Sequence, residues 1–106
     1  MTRWIEIARS EDVVDDDAVA REVEGTCIAL YRQGESLTAI GNICPHTGNV
    51  LLSTGWLEDG AIECPLHQAR FDIRTGKCLS GPSEEDVATY PVKEEAGTIW
   101  VSIEKA

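Results

Sequence analysis

Two short stretches carry the most specific chemistry in this chain. Cys44-Pro45-His46 places a cysteine two residues ahead of a histidine, and Cys64-Pro65-Leu66-His67 places one three residues ahead. Seventeen residues, 47–63, separate the stretches, and His46 and His67 are the only two histidines. Thiolate and imidazole are both metal ligands. One zinc could take all four. Structural zinc sites, however, usually pair like with like, Cys-x2–4-Cys with His-x3–5-His. Here each stretch supplies one ligand of each type, in the same order, which suits two metals held between two similar loops. Both cysteines can then reach one iron and both histidines the other, giving a [2Fe–2S] centre in which two histidines replace two cysteines. Thiolates suit the iron that stays ferric. Neutral imidazoles lower the negative charge around the other iron, so that it accepts an electron more readily.

Something must hold two such loops side by side, and the flanking pattern is that of an all-β domain. Trp4-Ile5-Glu6-Ile7 alternates and reads as a first strand. The acidic stretch Ser10 to Asp17 is predicted to hold one helical turn, with Ser10 as its cap. Strands are predicted over residues 18–24, over Cys27 to Tyr31, and over Leu37 to Ile43, the last feeding directly into Cys44. From Cys44 to Pro82 glycines and prolines are dense. Short strands fit between them at Trp56-Leu57, Ala61 to Glu63 and Arg70 to Asp72. Ala88 to Glu94 and Thr98 to Ile103 read as a hairpin across Ala96-Gly97. The expected organisation is one domain over residues 1–106, a β scaffold with a loop-rich insert at about 43–83.

Composition narrows the function. The chain has 106 residues, enough for one modest core, and 42% of them are hydrophobic. Nineteen acidic residues against nine basic give a formal charge of −10. Such a surface argues against nucleic acid, whose phosphates need cations, and against anionic membranes. It suits steering toward a basic protein partner. No apolar run approaches the roughly 20 residues that span a bilayer, and the N-terminus has no apolar core of a secretory signal. A cytoplasmic location is expected, and four cysteines there point to metal or redox chemistry before disulfides.

The two ligand stretches and the residues C-terminal to them resemble the Rieske ferredoxins. The shared features are Cys-x-His, a spacer, and Cys-x-x-His. They continue through Gln68-Ala69-Arg70-Phe71-Asp72, Thr75-Gly76-Lys77, Gly81-Pro82 and Tyr90-Pro91-Val92. The resemblance runs over roughly residues 4 to 103. It implies an antiparallel β-sandwich or barrel of the Rieske type with a loop-rich cluster-binding subdomain. It also implies one [2Fe–2S] cluster, with Cys44 and Cys64 on one iron and His46 and His67 on the other. Cytochrome bc-type relatives add a disulfide between the ligand loops; its positions here are Asn49 and Leu66. Those relatives also carry serine and tyrosine donors near the cluster, where this chain has Ala69 and Phe71. Fewer donors stabilise the added electron less, so a potential near the bottom of the roughly −150 to +300 mV Rieske range is expected. Many soluble relatives have two glycines where this chain has Gln68-Ala69.

The resemblance further implies the role of the ferredoxin component of a bacterial aromatic-ring-hydroxylating dioxygenase. A monomeric one-electron carrier, not itself an enzyme, would be loaded by an NAD(P)H-dependent reductase and unloaded by the terminal oxygenase. The small Rieske subunit of a nitrite-reductase-like system, a diiron monooxygenase ferredoxin and a zinc-stabilised interaction module are the alternatives. Backbone N–H groups around Gly48 and after His67 are expected to face the sulfides. Pro82 is expected in a third, covering loop, and Pro45, Leu66, Gln68 and Pro82 in an apolar rim. Trp56 and Phe71 are expected to be packed, Arg70 and Lys77 to be surface charges, Cys27 to be a buried small residue, Cys78 to be partly exposed, and Asp72 to hold a loop.

Overall fold

The computed structural model describes residues 3–43, 51–65, 69–80 and 86–103. Among them are ten strands: β1 (Ile5–Arg9), β2 (Asp17–Val23), β3 (Thr26–Gln33), β4 (Ser36–Gly41), β5 (Trp56–Glu58), β6 (Ala61–Glu63), β7 (Arg70–Asp72), β8 (Cys78–Ser80), β9 (Val92–Glu95) and β10 (Thr98–Val101). They form three antiparallel sheets, ordered β1-β10-β9, β2-β3-β4 and β5-β6-β7-β8. The all-β expectation holds. Among the described residues no helix is long and apolar enough to cross a membrane.

Local chemistry explains the hairpins. Glu24-Gly25, Asp59-Gly60 and Ala96-Gly97 each join two strands with both central residues at positive φ. That is the type I′ turn, whose twist matches that of the flanking strands. Alternation then sorts the side chains. Ile28 and Leu30 of β3 face a core with Ile7, Val13, Ile99 and Val101 between the first two sheets. Ala29 and Tyr31 face the opposite way, into a second core with Ile40, Leu52, Ile62 and Phe71. One central strand, buried on both faces, thus ties the terminal scaffold to the β5–β8 sheet.

Three expectations need correction. Ser10 does not cap the helical turn; it is the first residue of a 3-10 turn, Ser10–Asp12. The Asp12 carboxylate instead accepts the Arg9 backbone N–H at 3.1 Å. The hairpin strand does not start at Ala88 but at Val92. Residues 88–90 run along β4, where the Gly41 N–H donates to the Ala88 carbonyl at 2.8 Å and the Tyr90 N–H to that of Ala39 at 3.0 Å. Pro91, which has no N–H, separates the two pairings. Strand β8 is additional to the predicted set.

Candidate metal centre

Cys64 is the one expected ligand among the described residues; Cys44, His46 and His67 lie outside them, as do Pro45, Gly48, Asn49, Leu66, Gln68, Gly81 and Pro82. What the structure does describe is the base of every loop that carries them. An antiparallel bridge between Ile43 and Leu51 closes the segment 44–50. Asn42, only 2% exposed, reinforces it. Its carbonyl accepts the Leu52 N–H at 2.7 Å, its side-chain Oδ1 accepts the Ser53 N–H at 2.8 Å, and its own N–H donates to the Cys27 carbonyl at 3.0 Å. One buried residue therefore joins the entry and exit of the first loop and fixes both to β3.

The second loop closes through the Cys64 N–H, which donates to the Ala69 carbonyl at 2.7 Å. Cys64 and Ala69 are both wholly buried. Strand β6 leads into this closure and β7 leads out. The segment 81–85 is pinched in turn by two bonds. The Val87 N–H donates to the Gly76 carbonyl at 2.9 Å, and the Cys78 N–H to the Asp86 carboxylate at 2.7 Å. Asp72 organises the intervening turn, as expected, by accepting the Arg74 N–H at 2.8 Å through its side chain and the Gly76 N–H at 2.7 Å through its carbonyl.

These bases meet. A Cβ built on Gly55, just past the first loop, would lie 1.8 Å from the Glu63 carbonyl oxygen and 3.2 Å from Pro65 Cδ, at the entry to the second loop. The pairing of Arg70 with Ser80 sets the exit of the second loop beside the entry of the third. Glu63, Arg70 and Ser80, which lead into or out of the second and third segments, thus line one end of the β5–β8 sheet, next to Gly55.

The chemistry around Cys64 fits a metal–sulfur centre. Cys64 carries a free thiol, buried among Leu52, Ala69 and Phe71. An unpaired thiolate in such surroundings is costly, whereas a thiolate held by iron is the ordinary case. Ala69 and Phe71, both wholly buried here, bring no side-chain hydroxyl to it. Cys27 is half-buried rather than buried, with a free thiol, and Cys78, also half-buried, directs its Sγ at the Ser80 carbonyl at 3.6 Å. Trp56 departs from expectation most: it is 60% exposed, whereas Phe71 is packed as predicted.

The family model described as "Rieske [2Fe-2S] domain" matches residues 3–91. The chain belongs to the Rieske [2Fe–2S] family. It is 44% identical over 101 residues to the ferredoxin component of the naphthalene 1,2-dioxygenase system of Pseudomonas putida, covering 95% of this chain and 96% of that one. Among solved structures it is similar to the ferredoxin of carbazole 1,9a-dioxygenase from Nocardioides aromaticivorans IC177, at a TM-score of 0.88 and 31% identity, over 94% of this chain and 97% of the other. It is also similar to a chain in the complex of reduced oxygenase and oxidized ferredoxin in carbazole 1,9a-dioxygenase, at a TM-score of 0.89 and 27% identity, over 100% of this chain and 98% of that one. A Rieske chain takes one [2Fe–2S] cluster. The clamp at Asn42 and the close approaches at Gly55 and Gly76 escaped the sequence reading. Asn42 did leave a signal: a polar residue within an apolar run, two positions before the first ligand cysteine.

Proposed function

We propose that this Rieske protein is a cytoplasmic, monomeric one-electron carrier, a single domain over residues 1–106 that serves an aromatic-ring-hydroxylating dioxygenase. Cys44 and Cys64 hold one iron, and His46 and His67 the other. A reductase oxidising NAD(P)H supplies the electron, and a terminal oxygenase receives it. One observation carries the reading. Residues that flank the Cys44–His46 and Cys64–His67 stretches meet beside a buried thiol, in a chain that matches dioxygenase ferredoxins along nearly its full length. When bound, the cluster supplies a single reversible electron.

The chain's own residues do the rest. Asn42, the Cys64–Ala69 closure and Gly55 fix the loop bases, which reduces the rearrangement that accompanies electron transfer. Ala69 and Phe71 withhold hydroxyl donors and so keep the potential low. The −10 surface favours a brief encounter with basic partners, screened by salt. The test is reconstitution. With reductase, NAD(P)H and oxygenase, product formation is expected to require this protein and to slow as ionic strength rises. Turnover that proceeds equally without it overturns the reading.

The ligand assignment is checked separately. Cys64→Ser is expected to lose the two irons, two acid-labile sulfides and Rieske absorption that define the centre. Cys27→Ser, altering a half-buried thiol outside the ligand set, is expected to retain them. Iron and sulfide analysis of the two purified variants decides the matter.

A further inference from the structure

A thiol outside the ligand set lines a cavity. The cavity, about 200 Å3, is bounded by Ala20, Arg21, Glu22, Cys27, Asn42 and Leu51. In register, Ala20 pairs with Ala29 and Glu22 with Cys27. Directly paired side chains lie on one side of a sheet, and alternate residues share it. Ala20, Glu22 and Cys27 therefore lie on the face that carries Ala29 and the second core. Arg21 alternates to the other face, where its guanidinium lies 3.8 Å from the Asp12 carboxylate. Asn42 and Leu51 bring the base of the first loop to the same cavity.

Its lining suits a small reactive guest. Cys27 carries a free, half-buried thiol. Asn42 is only 2% exposed, yet its side chain lines the cavity. Its Oδ1 is taken by the Ser53 N–H at 2.8 Å, while its Nδ2 group has no acceptor among the described residues. A buried amide donor without a partner is costly, and an oxygen atom in the cavity would satisfy it. Glu22 is exposed, and no described residue forms an ion pair with it. Its carboxylate disfavours an anionic guest. Ala20 and Leu51 supply apolar contact. The cavity thus offers a nucleophilic sulfur, a buried donor and a negative rim.

We propose that Cys27 is a site of reversible thiolation by a small uncharged disulfide bearing a hydroxyl or amide oxygen, and that the adduct loosens the first ligand loop. Cys27 attacks as its thiolate. The new S–S bond to Cys27 forms as the S–S bond of the disulfide breaks, and the expelled thiolate takes up the proton that Cys27 gave up. Cys27 is oxidised and the expelled half of the disulfide is reduced. The oxygen of the retained half accepts from Asn42 Nδ2. The coupling follows from position. The Cys27 carbonyl accepts the Asn42 N–H at 3.0 Å, and Leu51 pairs with Ile43 to close the segment 44–50. A group seated against Asn42 and Leu51 presses on that closure. The effect on the cluster rests on the ligand assignment above; the modification itself does not.

The experiment treats the cluster-loaded protein with 2-hydroxyethyl disulfide and follows intact mass and iron retention. Wild type and Cys78→Ser are expected to gain one adduct, and Cys27→Ser none. Diethyl disulfide, which lacks the oxygen, is expected to react about fivefold more slowly. Oxidised glutathione, which is anionic and larger, is expected to react about tenfold more slowly, and Glu22→Gln to narrow that gap without changing the hydroxyethyl rate. The adduct is expected to speed iron loss to a chelator, and dithiothreitol to remove the adduct and restore retention. Modification at Cys78 with Cys27 untouched overturns the site, as do equal rates with all three disulfides. An adduct at Cys27 that leaves iron retention unchanged overturns the coupling, and so does equal iron loss from treated Cys27→Ser. If the protein holds no iron before treatment, the ligand reading fails, while the adduct pattern still decides the thiolation site.

Discussion

Gly55→Ala is expected to destabilise the protein by about 3 kcal/mol and to cost it most of its cluster. The added methyl would sit 1.8 Å from the Glu63 carbonyl oxygen, 3.0 Å from the carbonyl carbon and 3.2 Å from Pro65 Cδ. Two of those obstacles are backbone and the third is a proline ring, so no flexible side chain can swing aside. Gly55 has φ of −85°, which any residue tolerates; the demand is for space alone. Relief requires the strand leading into Cys64 to move away from the segment leaving the first loop. Leu52, wholly buried three residues earlier, resists that movement. Strain and loss of the ligand geometry therefore arrive together. Gly41→Ala is the control, because its added Cβ would come no closer than 3.9 Å to Ala88; it is expected to change stability by less than about 0.5 kcal/mol. Thermal melts with iron content measured on the same samples check both variants. A Gly55→Ala protein with wild-type stability and full iron would show that the contact between the loop bases does not hold the site.

The same contact shows why part of this site is not legible in the sequence. Cys44, His46, Cys64 and His67 stand out because residue type and spacing are local properties. The need for glycine at position 55 is set by Glu63, which reaches it only through the β5–β6 hairpin. Gly76 is similar: a Cβ there would lie 2.2 Å from the Val87 carbonyl oxygen, across the third loop. Strands were legible as alternation in β1, as an apolar run in β3, and as short pieces between turn residues in β5 to β7, and the Ala96-Gly97 turn marked the β9–β10 hairpin. Strand β8 was not, because Cys78-Leu79-Ser80 leaves Leu79 and Ser80 exposed and pairs with β7 through a bulge, so no apolar or alternating segment marks it. Trp56 was misplaced for a related reason. Three residues of β5 reveal a strand without saying which face is covered, and an edge strand leaves one side chain in every two open to solvent.

Arg32→Met is expected to cost about 2–3 kcal/mol of folding free energy while leaving the cluster spectrum intact. Arg32 ties the β2-β3-β4 sheet to the β1-β10-β9 sheet. Its Nε–H donates to the Val13 carbonyl at 2.6 Å, and Nη1 and Nη2 donate to the two Glu94 oxygens at 3.2 and 2.8 Å. The side chains are only 17% and 33% exposed, so the pair is better shielded than an ordinary surface salt bridge. Methionine keeps much of the stem but leaves Glu94 without its partner. The pH dependence arises from the carboxylate. Above all through its hydrogen bond, Arg32 holds Glu94 below its ordinary value of 4.5. A lowered folded-state value means that the pair stabilises fully above the unfolded value and loses that contribution as pH falls through the folded one. Denaturant midpoints of wild type and Arg32→Met should therefore differ by a constant amount from pH 6 to 8 and converge below about pH 4. Convergence should be incomplete, since the bond to the Val13 carbonyl does not titrate. A gap unchanged down to pH 3 would assign the whole effect to that bond and to packing. The contrast with Gly55→Ala separates two kinds of support: Arg32 holds the scaffold together far from the ligand loops, whereas Gly55 sets how closely the loop bases approach.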